Sequence, residues 1–345
     1  MGPLAQTFQY RFLDNLEYPS RFFSFMADRG YAMPFNLKQI QEHFRNSDIK
    51  SRLAPSPSGN LHLGHVLHTI YVWGITKALQ GELFIRMEDH DRQRSKDSFI
   101  QAILKELNWL GISALPKTKT LEKQSDYLTL YADIFSDLKN RNLVYPCSCT
   151  RKELLQRCYS KEFKTIIYDG RCRHQQKEVA NPSWRLRVDS EKSHPFLNFI
   201  HGENTTTSAA TRGDFPLVDR KDNFTYQFAV VVDDIRQKIS LVIRGEDLLA
   251  STGRYLYLWH LLQKTYFSQN RQQPVFLHHP LLYEEEGSST KLSKRFLSES
   301  VTQLQAQGLS QNAVLGMAAF KSGLIPANKP ISLEEVAALW DKPLS

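Results

Sequence analysis

The fold is decided by residues 49–80, which read IKSRLAPSPSGNLHLGHVLHTIYVWGITKALQ. Residues 49–54 have the short apolar pattern of a β-strand, and the Pro, Ser and Gly residues of 55–60 predict a turn. Residues 61–80 have the length and periodicity of a helix. The stretch therefore predicts a strand, a turn and a helix in succession, which is how an α/β fold begins.

The same alternation continues along the chain. A second strand is predicted at 82–87, and a helix at 97–110 ends at Gly111, as helices commonly do. The other predicted elements are a short helix at 36–45, a helix at 126–140, a strand at 184–188, apolar segments at 225–232 and 239–243, a helix at 251–264, a strand at 275–277, and helices at 312–322 and 333–340. Strands that alternate with helices predict a Rossmann-type, doubly wound parallel sheet, which a middle section interrupts.

The composition excludes several classes of protein. Of 345 residues, 41% are hydrophobic and 23% are charged, and no apolar run approaches the roughly 20 residues of a membrane span. The N-terminus lacks the basic segment and apolar core of an export signal, so we expect a cytoplasmic protein without a membrane role. The formal charge of +8 and the pI near 9.2 favour a polyanionic partner such as RNA.

The motif His62-Leu63-Gly64-His65 opens the first predicted helix. A helix N-terminus offers unpaired N–H groups and a partial positive charge, so a triphosphate can bind there and two imidazoles can donate to it. Gly64 leaves room for a flat base to approach the backbone. Capping or packing is the alternative role for both histidines. In this context the motif predicts an ATP site that includes His62, Gly64 and His65.

A second motif, Lys291-Leu292-Ser293-Lys294-Arg295, follows a polar stretch at 284–289. Two lysines three residues apart on a loop can close over phosphates and balance the charge that develops during adenylyl transfer. A basic surface loop is the alternative for this motif alone. Both motifs in this order, about 225 residues apart, favour ATP chemistry, with Lys291, Ser293 and Lys294 as further ATP-binding residues.

All four cysteines lie between Cys147 and Cys172, and a Cys-x-Cys pair begins the cluster. In a cytosolic protein, such clustering suits a metal site better than a disulfide framework.

These features resemble the class I synthetases of the glutamyl and glutaminyl type, whose motifs are similar to His-Ile-Gly-His and Lys-Met-Ser-Lys-Ser. Within that family the chain is most similar to the branch of glutamyl-queuosine tRNA(Asp) synthetases. Besides the two motifs, the resemblance rests on 52–59 (RLAPSPSG), 86–89 (RMED), 147–149 (CSC), 168–173 (YDGRCR), 229–234 (AVVVDD) and 243–248 (IRGEDL). The segments 168–173 and 229–234 are the most specific, and the resemblance runs from about residue 50 to 300.

The resemblance implies a glutamate site. Glutamate presents two carboxylates and an ammonium, so its site needs arginines and one acid. By similarity, Arg52 and Arg244 pair with substrate carboxylate, Glu88 holds the α-ammonium, and Tyr226 hydrogen-bonds the amino acid. The implied site also includes Leu53, Ala54, Pro55 and Ser56. A structural ion pair is the alternative for each charged residue.

The resemblance also implies one zinc ion per chain, held by Cys147, Cys149, Cys172 and, as an unusual fourth ligand, Tyr168. Tetrahedral zinc needs four ligands, and Cys158 and His174 remain alternatives for the fourth place. We expect a structural role, because four protein ligands leave no open position for water.

The predicted organisation has four parts. They are an N-terminal extension of unknown role at 1–50, a class I catalytic domain made of 51–112 and 212–300, an inserted acceptor-binding-like subdomain with the zinc site at 113–211, and a short helical remnant at 301–345. About 50 residues follow Arg295, which is too few for the anticodon-binding domain of a glutamyl-tRNA synthetase.

The expected reaction is attack of the glutamate α-carboxylate on ATP, which binds with Mg²⁺, followed by transfer of glutamate from the adenylate to queuosine in the anticodon of tRNA(Asp). His62, His65, Lys291 and Lys294 are the expected catalytic residues, and a monomer is expected. Three alternatives predict different behaviour: a truncated glutamyl-tRNA synthetase that charges tRNA(Glu), a different nucleotidyltransferase, and a non-catalytic RNA-binding regulatory paralogue.

Overall fold

The structure is a computed structural model. It describes residues 37–45, 47–91, 93–112, 121–161, 165–175, 178–189, 193–199, 203–208, 213–267, 272–282 and 299–340.

Strands and helices alternate over most of the described chain. The strands are β1 (Lys50–Leu53), β2 (Glu82–Met87), β3 (Glu122–Lys123), β4 (Val144–Cys147), β5 (Tyr159–Ser160), β6 (Thr165–Ile166), β7 (Ser183–Leu186), β8 (Ser193–Asn198), β9 (Glu203–Ser208), β10 (Phe215–Val218), β11 (Leu241–Gly245) and β12 (Val275–His279). The α-helices are α1 (Leu37–His43), α2 (Leu63–Ala78), α3 (Asp97–Trp109), α4 (Leu128–Asn140), α5 (Arg151–Cys158), α6 (Tyr226–Arg236), α7 (Thr252–Thr265), α8 (Val301–Ala306), α9 (Gln311–Lys321) and α10 (Leu333–Ala338). Short 3-10 helices at Gln124–Tyr127 and Glu246–Ser251 precede α4 and α7.

Two sets of strands meet edge to edge and form the parallel part of the fold. One set has the order β1-β2-β3 and the other the order β11-β12-β8-β9. Within each set, neighbouring strands are parallel, except in the antiparallel β8–β9 hairpin. The backbone N–H of Ser240 donates to the carbonyl of Lys50 over 3.0 Å, so β1 and β11 lie side by side. The predicted doubly wound parallel sheet is confirmed in this part of the chain.

The central strands are buried on both faces. In β11, Leu241 and Ile243 face one apolar core while Val242 faces a second, and in β12 Leu277 and Phe276 divide in the same way. Because successive side chains of a strand point to opposite faces, a continuous apolar strand needs helices on both sides. Helices α2, α3, α9 and α10 contribute to the first core, and α4, α6 and α7 to the second.

The middle section contains an antiparallel sheet of order β10-β7-β4 and the small β5–β6 hairpin. Two further strands of the segment 113–211, β3 and β8, pair with β2 and β12 of the parallel sheets. The predicted limits of an inserted subdomain at 113 and 211 stay a prediction.

The C-terminal helices pack on α2, the helix that begins at the His-x-Gly-His motif. Trp340 is 3% exposed, and its ring centroid lies 4.9 Å from that of Tyr71. A Cβ atom on Gly74 would lie 2.3 Å from Nε1 of Trp340, so the close approach requires glycine. The helices predicted at 312–322 and 333–340 are confirmed, and Val336 and Trp340 pack against the middle of α2. Within the described part of the chain, no helix has the length and apolar character needed to cross a bilayer.

Candidate active site

The predicted glutamate residues converge at the carboxyl ends of β1, β2 and β11. Arg52 lies in β1, Glu88 directly follows β2, and Arg244 lies near the end of β11. Parallel strands end at one edge of a sheet, where open α/β folds bind their ligands. The Nη1 atom of Arg52 donates to the carbonyl oxygen of Ile243 over 3.1 Å, which brings Arg52 beside Arg244.

Asp234 of α6 is the common partner of two buried arginines. Arg52 Nε donates to its two carboxylate oxygens over 3.1 and 3.2 Å, and Arg86 Nη1 donates over 2.8 Å. Tyr255 also donates to this carboxylate, over 3.1 Å. Burial raises the pKa of Asp234, but the two guanidinium groups lower it by more, so the pKa lies below its ordinary value. The carboxylate is therefore ionised and fixes the position of both arginines.

Arg86 is hydrogen-bonded to both Asp234 and Glu88 and so connects them. Its Nη2 donates to Glu88 Oε1 over 3.3 Å, its Nη1 also donates to Gln237 Oε1 over 2.7 Å, and its side chain is fully buried. The resemblance included Arg86 and Asp234 in quoted segments but assigned them no role. A charged residue in an otherwise apolar strand, and an acid at the end of an apolar helical run, were the signals that could have identified them.

Arg244 is buried without a carboxylate partner among the described residues. Its Nε donates to His278 Nε2 over 3.1 Å, and its Nη2 donates to Thr252 Oγ1 over 2.7 Å and to the carbonyl of Leu248 over 3.3 Å. Its Nη1 is buried and has no hydrogen-bond partner in the part of the chain that the structure describes. Burial lowers the pKa of Arg244 and the nearby Arg52 lowers it further. An anionic ligand at Nη1 would offset this cost.

Glu88 and Tyr226 lie close to Arg52 and Arg244. Burial raises the pKa of Glu88, and burial together with the Glu88 carboxylate raises the pKa of Tyr226 to about 12. Arg244 and Arg52 act on Tyr226 in the opposite direction, so all four groups lie within electrostatic reach of one another. Tyr226 therefore keeps its proton at neutral pH and can donate it.

The segment Leu53, Ala54, Pro55 and Ser56 leaves β1 beside Glu88. The backbone N–H of Glu88 donates to the carbonyl of Pro55 over 3.0 Å, which holds the turn against the end of β2. The structure thus brings together the predicted glutamate residues on β1, β2, α6 and β11.

The two motif histidines cap the N-terminus of α2. Nδ1 of His62 accepts from the backbone N–H of Gly64, and Nδ1 of His65 accepts from the backbone N–H of His62, both over 3.1 Å. Because both Nδ1 atoms accept, each neutral ring carries its proton on Nε2. A Cβ on Gly64 would lie 3.0 Å from Cε1 of His62, so a larger residue there would press on the capping ring. The capping role raised as the alternative is present and leaves Nε2–H groups as the donors.

A buried histidine pair that the sequence did not predict extends this face of α2. His68 Nδ1 lies 2.9 Å from His279 Nε2, and His279 Nδ1 lies 2.9 Å from the carbonyl oxygen of Pro280. Burial, His279, Arg52 and His65 all lower the pKa of His68 well below its ordinary value. His68 is therefore neutral and lies beside both the histidine cap and Arg52.

The predicted lysine loop, with Lys291, Ser293 and Lys294, lies outside the described residues. Ser300 and Val301, which follow the loop, are hydrogen-bonded to the chain at Leu61 and His62. Ser300 forms an antiparallel bridge with His62, and the N–H of Val301 donates to the carbonyl of Leu61 over 2.8 Å. The chain that follows the lysine motif therefore pairs with the start of α2 from Ser300 onward.

Three buried cysteines form a separate cluster behind the antiparallel sheet. The sulfur atoms of Cys147, Cys149 and Cys172 lie within 4.8 Å of one another, and the Cys149 and Cys172 sulfurs are 3.7 Å apart. The Tyr168 hydroxyl oxygen lies 3.4 Å from the Cys147 sulfur and 3.9 Å from the Cys149 sulfur. Tetrahedral zinc with bonds of about 2.3 Å spaces its sulfur ligands about 3.8 Å apart, so the donor set fits a metal.

The two alternative fourth ligands stand apart from this group. Cys158 is buried in the same apolar cluster but is not a member of the three-sulfur group, and His174 is exposed.

Comparison with known proteins gives a consistent result. The family model described as tRNA synthetases class I (E and Q), catalytic domain, matches residues 48–327. Two solved structures are similar in fold: a glutamate tRNA ligase from Elizabethkingia meningosepticum in complex with its amino acid, and a glutamate-tRNA synthetase from Elizabethkingia anophelis. Their TM-scores are 0.63 and 0.64 and their identities 24% and 23%; each match covers 86% of this chain and 65% or 66% of the other.

Curated relatives fall into two groups by length. The glutamyl-Q tRNA(Asp) synthetase of Nitratidesulfovibrio vulgaris is 32% identical over 317 residues, which cover 86% of this chain and 95% of the relative. The protein of the same name from Rhodobacter capsulatus is 32% identical, with 75% and 96% covered. Glutamate–tRNA ligase 2 of Syntrophus aciditrophicus is 35% identical, but this chain covers only 60% of it.

Proposed function

This chain belongs to the class I tRNA synthetases for glutamate and glutamine, and we propose from that premise that it activates glutamate with ATP and transfers it to queuosine in tRNA(Asp). The buried Nη1 of Arg244 carries the proposal, because it is an unpartnered cationic donor beside Arg52, Glu88 and Tyr226. Two relatives named for glutamyl-Q tRNA(Asp) match this chain over 95% and 96% of their length, which supports this RNA substrate over tRNA(Glu).

The charges and positions of the site residues lead to a proposed binding mode for glutamate. The substrate carboxylate binds Nη1 of Arg244 beside Arg52, while the Glu88 carboxylate receives the α-ammonium. The Tyr226 hydroxyl donates a further hydrogen bond to the amino acid. Residues 53–56 form the wall of the site. Lysine in place of Arg244 could not supply the same planar fork.

The proposed chemistry needs no protein nucleophile. The glutamate α-carboxylate attacks the α-phosphorus of ATP in line, pyrophosphate leaves, and an RNA hydroxyl then displaces AMP from the adenylate. The Nε2–H groups of His62 and His65 donate to phosphate oxygens at the start of α2, and Lys291, Ser293 and Lys294 bind phosphate on the other side. Mg²⁺ bound with ATP supplies further charge compensation. Positioning and charge stabilisation account for catalysis.

The first test measures glutamate-dependent ATP–pyrophosphate exchange without RNA, and then transfer of labelled glutamate to queuosine-containing tRNA(Asp), unmodified tRNA(Asp) and tRNA(Glu). Exchange followed by labelling of the queuosine-containing tRNA alone is the expected result. Labelling of tRNA(Glu) would instead identify a glutamyl-tRNA synthetase activity, and absence of exchange would point to a non-catalytic RNA-binding protein.

Arg244→Lys tests the residue on which the proposal depends. It keeps the charge and loses the fork, so we expect the KM for glutamate in the exchange reaction to rise about tenfold to hundredfold, since hydrogen bonds to charged groups contribute about 1.5–3 kcal/mol. The KM for ATP should change little. Arg220→Lys, at an exposed arginine, is the matched control. An unchanged KM for glutamate in Arg244→Lys would refute the assignment.

We propose in addition that Cys147, Cys149, Tyr168 and Cys172 hold one structural zinc ion per chain. Bound there, the ion would cross-link the end of β4 to the turn at 168–173. Elemental analysis of purified protein should find one zinc per chain in the wild type and in Cys158→Ser, and much less in Cys149→Ser. Loss of zinc in Cys158→Ser with retention in Cys149→Ser would reverse the ligand assignment.

A further inference from the structure

Arg244 is hydrogen-bonded to Thr252 and His278, and His278 in turn lies against Asn198. Thr252 begins α7, His278 lies in β12 and Asn198 ends β8. These three residues are 0%, 1% and 0% exposed, so water does not compete for their hydrogen bonds. Nothing in the proposed reaction uses any of them directly.

The protons in this network can be assigned from the chemistry of the groups. Arginine has only donors, so Nε2 of His278 must accept from Arg244 Nε at 3.1 Å. The Nδ1 atom of His278 then carries the proton and faces Oδ1 of Asn198 at 3.4 Å. Thr252 Oγ1 accepts from Arg244 Nη2 at 2.7 Å and also lies 3.1 Å from His278 Nε2, the acceptor of Arg244 Nε.

This arrangement fixes the plane of the guanidinium without cancelling its charge. Arg52 shows the contrast, because the carboxylate of Asp234 accepts from it directly. At Arg244 the Nε and Nη2 edges are bound by a neutral imidazole, a hydroxyl and a carbonyl, and Nη1 is left without a partner in the described chain. Within the described chain, no carboxylate neutralises Arg244, and its Nη1 is held in one orientation in which it can bind an anionic ligand.

We infer that Thr252 and His278 are positioning residues that aim Nη1 of Arg244 at a carboxylate of the substrate, and that they thereby favour glutamate over its amide, glutamine. A carboxylate presents an acceptor oxygen to Nη1 whichever way it is turned, whereas the NH₂ end of an amide would face Nη1 with donors. The inference rests on the proposed function, since it assigns a role within the same glutamate site.

The test compares Thr252→Val, which removes the hydroxyl and keeps the shape, with Thr252→Ser, which keeps the hydroxyl. In ATP–pyrophosphate exchange, we expect Thr252→Val to raise the KM for glutamate about tenfold, to leave the KM for ATP within about twofold, and to lower the preference for glutamate over glutamine. Thr252→Ser should stay close to the wild type in all three. Thr252→Ala, which removes the hydroxyl without adding bulk, should repeat the result of Thr252→Val.

Thermal melting of each variant separates positioning from folding, because a purely structural role would lower the melting temperature and affect both substrates alike. Wild-type exchange combined with an unchanged KM for glutamate in Thr252→Val and Thr252→Ala would overturn the inference alone. Equal losses in Thr252→Val and Thr252→Ser would do the same. A wild type without glutamate-dependent exchange would overturn the proposed function, and this inference with it.

Discussion

Asp234 is a carboxylate shared by two buried arginines, Arg52 and Arg86. Arg52 is 3% exposed and Arg86 is fully buried, and both donate to this one carboxylate. The cost of removing an ion from water amounts to several kcal/mol, so a buried pair that loses one member is strongly destabilised. Asp234 therefore determines both the stability of the site and the position of Arg52 within it.

Asp234→Asn should lower the free energy of unfolding at pH 7 by about 3–5 kcal/mol. The pKa of Asp234 is lowered in the folded protein, so its contribution is complete well above the ordinary value of 3.8 and is lost as the pH falls towards the lowered pKa. Urea unfolding at several pH values should show the difference from wild type shrinking below about pH 4. Asp222→Asn, at an exposed acid, serves as the control, and a constant difference down to pH 2 would contradict the assignment.

Much of the residue-level site follows from the sequence, but the partners within it do not. Arg52, Glu88, Tyr226 and Arg244 were predicted from segments that resemble a family, and the structure brings them together. The contact between Arg52 and Asp234 spans 182 positions in the chain. No local pattern encodes such a pairing, which depends on how β1 and α6 lie against each other.

Among the elements, α3 connects the chain before His62 to α8 through Glu106. This residue is 3% exposed, and its Oε2 accepts from the backbone N–H of Leu61 over 2.8 Å. Its Oε1 accepts from the N–H and the hydroxyl of Thr302 over 3.1 and 2.7 Å. One carboxylate thus joins α3, the residue before His62 and the first turn of α8.

Glu106→Gln should loosen this junction, because its amide NH₂ cannot accept from both sides. We expect a loss of about 1–3 kcal/mol in the free energy of unfolding, as for a buried polar group left unsatisfied, and a higher KM for ATP with little change in that for glutamate. Chemical denaturation and exchange kinetics measure the two effects. Lys105→Gln, exposed on the same helix, should match the wild type, and an unaltered KM for ATP in Glu106→Gln would show that the junction is only structural.

Sequence periodicity located most of the long elements and missed several short ones. The strand predicted at 82–87 agrees with β2, and the helix predicted at 97–110 agrees with α3. In both segments the apolar residues recur at the spacing of the element, which is what made them recognisable. The β8–β9 hairpin and α8 were not predicted. Residues 203–208 are polar, and α8 is six residues long, so neither carries a clear apolar period.

At the scale of the whole molecule, two cores enclose the parallel strands, and the C-terminal helices complete the first of them. Gly74→Ala tests this packing. Alanine normally favours a helix over glycine by about 1 kcal/mol, but here its Cβ would meet Nε1 of Trp340 at 2.3 Å and Cγ1 of Val336 at 3.2 Å. We expect a net loss of about 1–3 kcal/mol, as in overpacked cores.

Calorimetry or thermal melting would show the effect of Gly74→Ala as a lower melting temperature. The control is Gly59→Ala, at a position where an added Cβ meets nothing within 4 Å. A Gly74→Ala protein as stable as the wild type would mean that the C-terminal helices move away from α2 at little cost.

The junction at Glu106 also has a consequence for biosynthesis. Glu106 and Thr302 are 196 positions apart, so the chain must be synthesised past Thr302 before this contact can form. Contacts between distant positions close late, because the intervening chain loses entropy when its ends meet. On a translating ribosome, the strands and helices up to α7 can collapse around the glutamate residues well before the histidine cap acquires its partner at Ser300. A nascent chain is therefore expected to complete the support of the histidine cap only after Thr302 has been added.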